Sequence, residues 1–233
     1  MASVANLYYF HGRGRSQQAR WVLAAAGVPF QNVCLSSSRE MSQMRQDGKL
    51  TYGQLPMLEI DGMKLSQSMA IVRHAARLGQ LEGKSPAESA RIDELVEGIS
   101  DARGPIIGFP FQRSPETAVQ QLIGSVQKYY PIFEKLISDN CSEPFSVGAS
   151  LSVADVLLAE FVESSREAVE SMYGCDQAAK LVLAPYPRLR ALHQHVLSLP
   201  TIKAFMTSEN WFPFPAGTVG QKYVENVQTV LSR

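Results

Sequence analysis

The amino-acid sequence predicts a small mixed α/β unit followed by an all-helical domain. In the first ~80 residues, short β-type runs alternate with helical ones, which is typical of an α/β fold. From Pro86 onward only helical patterns occur. The stretch between Leu78 and Pro86 is rich in glycine and proline and marks the boundary. We therefore predict two domains, at residues 1–82 and 86–233.

The opening elements are predicted as strand, helix and strand. The run ANLYYF (5–10) is β-type. After a glycine-containing loop, apolar residues recur at i, i+3, i+4 and i+7 from Ala19, which indicates a helix. Gly27 ends that helix, because glycine readily adopts the left-handed conformation of a helix terminus. The run 28–35 supplies the second strand.

A connection, a hairpin and a helix complete the first unit. The stretch PMLEIDGMKLS (56–66) predicts two antiparallel strands, since the pair Asp61–Gly62 suits the positive φ angles of a type I′ turn. The next pattern is helical, and we expect a cap at Ser66 or Ser68 and an end at Gly79. The predicted order is therefore β-α-β, a connection, then β-β-α.

The second domain is predicted as a series of helices. A helix over 86–107 should be kinked by Pro105 and Gly108, and one over 114–138 should bend at Pro131. A third begins at Ser152, where the spacing to Asp155 forms a variant capping box. It is apolar almost all round, so it should be central and buried. Shorter helices are expected at 186–200, 201–208 and 218–233.

Composition excludes several classes of function. Lys plus Arg and Asp plus Glu are both 22, giving zero formal net charge, which argues against nucleic-acid binding. No secretory signal and no apolar run of the ~20 residues needed to span a membrane is visible. The three cysteines (Cys34, Cys141 and Cys175) lack metal spacing and indicate reduced thiols in the cytosol. No metal site is predicted.

The stretch YYFHGRGRSQQAR (8–20) contains a strand end, two glycines, three arginines and the start of a helix. A dinucleotide fingerprint needs a third glycine, which is missing after Gly14. What remains is a tyrosine at a strand end, beside a helix N-terminus that favours an anion. Leu55–Pro56, where a cis bond is expected, and Gln67, which opens another helix, offer further donors. Three such loops would converge on one extended anionic peptide.

With these motifs the sequence resembles the cytosolic glutathione transferases, most closely the alpha class. The stretches YYFHGRGRSQQARWVLAAAGVPF, RQDGKL, QLPMLEIDGMKLSQSMAI, RIDELVEGISD and LSVADV follow that family's pattern in order, over essentially the whole chain. The resemblance implies a thioredoxin-like N-terminal domain with an all-helical C-terminal domain, the glutathione transferase fold. It also implies a cytoplasmic homodimer that acts in detoxification, with glutathione as co-substrate and no metal.

The resemblance assigns roles to individual residues. Tyr9 matches the catalytic tyrosine, with Tyr8 on the opposite face, and Arg15 matches an arginine that further stabilises the sulfur anion. The glutathione-binding positions are Arg45, Gln54, Leu55, Pro56, Gln67, Ser68 and Asp101, the last reaching the partner subunit's glutathione. The pocket for a hydrophobic electrophile would take Phe10, Gly12, Ile107, Gly108 and Phe111, plus the C-terminal segment. In that segment, the aromatic run with Trp211 and Phe212 would either close the pocket or pack on the core. Tyr52 matches the aromatic residue that enters the partner subunit.

The predicted reaction is conjugation of the glutathione thiolate to hydrophobic electrophiles. A thiol of pKa ~8.5 is only about 3% ionised at pH 7, and lowering its pKa by two units needs ~2.7 kcal/mol. One hydrogen bond to a charged acceptor gives ~1.5–3 kcal/mol, so Tyr9 and Arg15 suffice without His11 as a base. Two alternatives remain at this point: a non-catalytic carrier of apolar ligands, and a glutathione-dependent isomerase similar to prostaglandin D synthase.

Overall fold

A computed structural model describes residues 4–232. The predicted domain limits at residues 1 and 233 lie outside the described residues. The N-terminal unit is built on a four-stranded mixed sheet of order β2-β1-β3-β4. Its strands are β1 (Ala5–Phe10), β2 (Phe30–Leu35), β3 (Met57–Ile60) and β4 (Met63–Ser66). Strand β1 runs parallel to β2 and antiparallel to β3, which confirms the predicted mixed sheet.

Alternation along β1 decides which side chains face the core. Ala5, Leu7 and Tyr9 are buried, whereas Tyr8 is half-buried on the other face. The Tyr8 hydroxyl donates to the Glu59 carboxylate over 2.9 Å. Since neighbouring side chains on a strand point to opposite faces, the two consecutive tyrosines serve different surroundings. Tyr9 points inward at the carboxyl end of the strand.

Three helices flank this sheet: α1 (Gln17–Ala25), α2 (Ser38–Gln46) and α3 (Ser68–Leu78). The expected end of α1 is confirmed, because Gly27 has φ 67°. Helix α2 was not predicted from the sequence. It begins with a complete capping box, in which Ser37 and Glu40 satisfy each other's backbone N–H groups.

The expected cap of α3 was wrong, whereas its expected end at Gly79 is confirmed. Its N-cap is Gln67, with φ 74° and no side-chain cap, whereas Ser66 ends β4 and Ser68 is already helical. At the other end Gly79 has φ −89°, and Gln80 takes the positive φ of 56°. The hairpin prediction is confirmed, because Asp61 and Gly62 have φ 48° and 78°.

The remainder of the described chain is helical. The elements are α4 (Pro86–Ala102), α5 (Gly104–Gly108), α6 (Pro115–Asp139), α7 (Val153–Tyr173), α8 (Cys175–Ala178), α9 (Pro187–Ser198), α10 (Pro200–Met206) and α11 (Gly217–Leu231). A 3₁₀ turn over Phe109–Phe111 and a π-helical turn over Ala179–Leu183 lie between them. Helix α8 and the π-helical turn were not predicted.

The kinked helix expected over 86–107 is instead two helices. Helix α4 ends at Ala102 with Arg103 as its C-cap, and α5 begins with Gly104 and Pro105 in its first turn. Proline fits there because its missing N–H would have no helical partner in a first turn. Helix α6 runs through Pro131 without interruption, and the bend expected there stays a prediction.

Helix α7 is the buried centre of the helical domain, as predicted. Its capping box pairs Ser152 with Asp155, whose carboxylate also accepts hydrogen bonds from Ser146. Three carboxylates on this helix are each matched by a partner on another element. Glu160 pairs with Arg103, Glu163 with His193 on α9, and Glu167 with Arg13 from the loop after β1. The last pair joins the sheet unit to the helical domain.

Candidate active site

A cavity of about 640 Å³ opens at the carboxyl end of β1, between the sheet unit and the helices. It brings together nine residues expected in the site, from three distant loops and from α2: Tyr9, Phe10, Arg15, Arg45, Gln54, Leu55, Pro56, Gln67 and Ser68. Ile107 and Phe111, expected in the electrophile pocket, also line it. The fold therefore places most of the predicted site residues around one space.

Tyr9 lines this cavity. The backbone N–H of Arg15, in the first turn after the loop, donates to the Tyr9 oxygen over 2.9 Å. Since that bond occupies a lone pair on the oxygen, the phenolic proton stays available for donation. The side chain of Tyr9 is only 4% exposed, so its position is fixed by packing. The geometry supplies a preorganised proton donor.

Gly14 gives the hydroxyl its space. Its φ is 42°, and a Cβ added there would lie 2.4 Å from the Tyr9 oxygen. It would also lie 2.3 Å from the hydroxyl oxygen of Tyr223, which reaches the same place from α11. The glycine is therefore required here by close approach as well as by backbone conformation. This role differs from the phosphate binding that a glycine loop first suggests.

The loops opposite Tyr9 present polar groups to the cavity. The Leu55–Pro56 peptide bond is cis, as the sequence led us to expect. Arg45 on α2 donates from Nε to the carbonyl of Gly53 over 3.0 Å, which holds this loop against the helix. Gln67, at the N-cap of α3, lines the same side. This wall is polar, with backbone and side-chain donors within reach of an extended ligand.

The opposing wall comes from α11, none of whose residues was named as part of the site from the sequence. Tyr223, Val227 and Leu231 line the cavity at helical spacing. Asn226 fixes the helix to the sheet: its carbonyl accepts from the His11 backbone N–H over 2.8 Å, and its amide donates to the Leu35 carbonyl over 2.9 Å. The i, i+4, i+8 apolar spacing was visible in the sequence, but not the surface that it covers.

Burial keeps the hydroxyl of Tyr223 neutral. Desolvation raises the pKa of Tyr223 well above its usual range, and the neighbouring Tyr9 acts in the same direction. The Tyr223 oxygen lies 3.5 Å from that of Tyr9. The protonated phenol of Tyr223 therefore faces the Tyr9 hydroxyl at neutral pH.

Several residues expected in the site lie outside the cavity lining. They are Gly12, Gly108, Asp101, Trp211 and Phe212, together with the alternative base His11. Trp211 packs against Trp21 and Phe205, with ring centroids 6.1 and 5.3 Å apart. Phe212 packs against the His11 ring. The aromatic run before α11 thus belongs mainly to the packing between the two domains.

Gly12 and Asp101 have other surroundings. A Cβ at Gly12 would lie 2.4 Å from the ring of Tyr223, so this glycine lets α11 approach the sheet. Asp101 is exposed on α4. Within residues 4–232, no group of three or more His, Cys, Asp or Glu side chains is placed to hold a metal ion. The same described part contains no helix long and apolar enough to cross a membrane.

The fold and the cavity define a class: a thioredoxin-like unit joined to a helical domain, with a ligand cleft between them. Family models agree with this class. The glutathione S-transferase N-terminal domain matches residues 5–77, and the C-terminal domain matches residues 100–209.

Curated relatives extend the match to nearly the whole chain. Mouse glutathione S-transferase A4 is 37% identical over 99% of this chain and 99% of its own length. Rat glutathione S-transferase alpha-4 is 37% identical over 97% of this chain and 96% of its own. The solved glutathione S-transferase of Ascaris lumbricoides superposes with a TM-score of 0.70, at 27% identity, covering 88% of this chain and 96% of that one.

The chain belongs to the glutathione S-transferase family. This confirms the predicted fold, the resemblance to the alpha class and the predicted class of enzyme. The individual roles of the site residues, the division into domains at residues 82 and 86, and the homodimer stay predictions.

Proposed function

We propose that this protein conjugates the thiolate of reduced glutathione to hydrophobic electrophiles, and that Tyr9 stabilises the thiolate. The observation that carries the proposal is the hydrogen bond from the Arg15 backbone N–H to the Tyr9 oxygen. That bond orients the phenol and polarises it, so its proton is donated more strongly to an anion. The glutathione thiolate, bound in the cavity beside Tyr9, would accept a charge-assisted hydrogen bond from the Tyr9 hydroxyl.

Glutathione would lie along the polar side of the cavity. Arg45 supplies a positive charge for the glycine carboxylate, and the backbone around Leu55 pairs with the cysteinyl unit. Gln67 and Ser68 lie at the N-terminus of α3, where backbone N–H groups favour the γ-glutamyl carboxylate. Their common position around one cavity supports this assignment.

The electrophile would occupy the apolar side of the same cavity. Phe10, Ile107 and Phe111 form one part of it, and Val227 and Leu231 on α11 form the other. Phe111 is 49% exposed, so an apolar ligand would cover a ring that solvent now contacts. Burying such surface gives about 25 cal/mol per Å².

A conjugation assay with 1-chloro-2,4-dinitrobenzene tests the proposal. Tyr9→Phe should lower kcat/KM about 10- to 100-fold, the value of one hydrogen bond to a charged acceptor. Tyr8→Phe is the matched control, because Tyr8 points to the opposite face and donates to Glu59. Equal rates in wild type and Tyr9→Phe would refute the role of Tyr9. Binding of apolar dyes without glutathione-dependent turnover would favour the carrier, and isomerisation without conjugation the isomerase.

We also propose a homodimer in the cytoplasm, acting in detoxification. Tyr52 is 63% exposed, and the same chain carries an open apolar recess of about 550 Å³ between α4 and α6. The recess is lined by Leu95, Gly98, Tyr129, Ile132, Phe133 and Leu136. Within one copy the Tyr52 ring is exposed and the apolar recess is open. In a dimer, the Tyr52 ring of each copy would be buried in the recess of the other. Asp101 on α4 would then reach the partner's glutathione.

Sedimentation equilibrium tests the dimer. Tyr52→Ala should weaken association by at least ~30-fold, as expected for a buried aromatic anchor. Val219→Ala is the control, because Val219 is an exposed apolar residue that lines neither cavity. An unchanged dimer in Tyr52→Ala, or a monomeric wild type, would contradict the proposal. Mass is the readout rather than activity, since Tyr52 also borders the main cavity.

A further inference from the structure

Arg20 on α1 is a fully buried arginine, with a side chain that is 0% exposed. Its Nε donates to Asn32 Oδ1 over 2.7 Å, and its Nη1 donates to the Arg13 carbonyl over 3.1 Å. Its Nη2 has no hydrogen-bond partner among the described residues. No ion pair within residues 4–232 includes Arg20. A buried charge is normally paired, so this one needs an explanation.

The other two buried arginines are neutralised. Arg13 binds Glu167 through both Nη atoms, and Arg103 binds Glu160 through Nε and Nη2 over 2.7 and 2.8 Å. These pairs carry no net charge. Among the buried arginines in the described part of the chain, Arg20 is therefore the one whose positive charge is not compensated by a carboxylate.

Its surroundings connect Arg20 to the reacting end of the cavity. The guanidinium carbon lies 4.6 Å from the centroid of the Phe212 ring and 6.0 Å from that of the Tyr9 ring. The titratable groups that face it are Tyr9 on β1, Cys34 on β2 and Tyr223 on α11, together with the like charge of Arg13. Burial raises the pKa of the Cys34 thiol and that of the Tyr223 phenol, so neither of these two acids supplies a negative charge to Arg20 at neutral pH.

Arg20 itself remains charged. Burial lowers its pKa to about 10, which leaves the guanidinium protonated under neutral conditions. Its field also reaches further than that of an exposed cation, because neither water nor salt screens it well. Arg15, by comparison, is exposed.

The geometry points to Arg20 as a positioning residue that acts through Tyr9, its uncompensated charge favouring an anion at the Tyr9 hydroxyl. This inference rests on the proposed function, since the anion is the glutathione sulfur. A fixed cation stabilises the thiolate and not the neutral thiol, so it lowers the pKa of the bound thiol. The buried charge of Arg20 lowers the stability of the folded protein, but it stabilises the glutathione thiolate when this forms.

Titration of bound glutathione by its thiolate absorbance tests the inference. Arg20→Met should raise the apparent pKa of the bound thiol by about 1 relative to wild type. Arg20→Lys, which restores the charge, should bring it back. The matched control is the double variant Arg13→Met/Glu167→Gln, which removes a buried pair of no net charge. It should lower the melting temperature and leave the thiol pKa unchanged.

The outcomes separate the two proposals. If wild-type protein binds glutathione with the pKa of the free thiol, thiolate stabilisation fails and the proposed function with it. If wild type lowers that pKa and Arg20→Met lowers it equally, Arg20 is only structural and the inference is overturned.

Should Arg20→Met fail to fold, Cys34 provides a second test. A carboxylate in Cys34→Asp would face Arg20 and cancel its charge, whereas Cys34→Asn would not. A rise in the thiol pKa for the aspartate variant alone supports the inference. An unchanged pKa in Cys34→Asp overturns it, because the charge balance at Arg20 would then not reach the sulfur.

Discussion

The hydroxyl oxygens of Tyr9 and Tyr223 lie 3.5 Å apart, although 214 positions separate the two residues along the chain. One comes from the end of β1 and the other from α11, so the sheet unit and the last described helix meet at the proposed position of the glutathione sulfur. Gly14 lies beside both oxygens. The shape of the site near Gly14 thus depends on how β1 and α11 pack against this glycine.

Gly14→Ala is expected to disable catalysis. The added Cβ would lie within 2.4 Å of both hydroxyl oxygens, so Tyr9 or Tyr223 must move. Displacement of a catalytic group by about 1 Å costs ~100-fold in rate, which is the loss we expect in kcat/KM. Steady-state kinetics with glutathione and a chloronitrobenzene measure it.

Gly27→Ala is the control for backbone strain. Gly27 also has positive φ, 67°, but an added Cβ would meet nothing within 4 Å. This variant should lose about 1 kcal/mol of stability and keep its activity. Equal loss of activity in both variants would show that strain, and not the crowded hydroxyls, is responsible.

Asn226→Ala is expected to loosen α11. The variant loses the hydrogen bonds to the His11 N–H and the Leu35 carbonyl, worth about 1 kcal/mol each. Amide hydrogens of α11 should then exchange faster, and KM for an apolar electrophile should rise several-fold. Gln228→Ala, on an exposed position of the same helix, is the control. Unchanged exchange in Asn226→Ala would show that apolar packing alone holds the helix.

The ion pair of Glu163 predicts an acid limit of stability. Burial alone would raise the pKa of Glu163, but hydrogen bonds from His193 and Arg166 lower it to about 2. The unfolded value is about 4.3. A group with a depressed folded pKa stabilises the protein above its unfolded pKa, and this contribution is lost as pH falls from there towards 2. Thermal unfolding followed over this window should show the loss.

Glu163→Gln identifies the group. It should destabilise the protein by about 3 kcal/mol at neutral pH and flatten the acid dependence of the melting temperature. Glu82→Gln, in an exposed pair with Arg77, should change stability by less than ~1 kcal/mol. An acid dependence that persists unchanged in Glu163→Gln would assign it to another carboxylate.

The buried pair of Arg103 and Glu160 predicts a non-additive result. Arg103→Met leaves the fully buried Glu160 without its cation and should cost about 3–5 kcal/mol. Arg103→Met/Glu160→Leu removes both charges and should be the more stable of the two variants. Urea unfolding measures each. A double variant that is less stable than the single one would contradict the expectation.

Local signals were sufficient to predict much of the fold. The apolar stripe from Ala19 with Gly27 behind it, and the pair Asp61–Gly62, set their elements through short-range geometry alone. Ser152 with Asp155 did the same for α7. The capping box that starts α2, Ser37 with Glu40, was equally visible in the sequence and was overlooked. Tyr9 came from its strand-end position and from the family pattern.

What could not be predicted depends on contacts between distant elements. Gln67 rather than a serine caps α3, because the path of the chain from β4 fixes its φ at 74°. The sequence left open whether Trp211 lies near the ligand or in the core, and only the folded chain brings its ring against Trp21 and Phe205 between the domains. Tyr223 reaches Tyr9 only once α11 lies across the sheet.

The three carboxylates on α7 have a consequence for protein engineering. Glu160, Glu163 and Glu167 each hold a different neighbour, so the helix can neither slide nor rotate without breaking all three attachments. Apolar packing alone would tolerate many alternative side chains. In each of these three pairs, however, both members must be replaced together. If a library randomises one member of a pair, most of its variants will be destabilised. A library that varies both members together can yield stable variants with new domain arrangements.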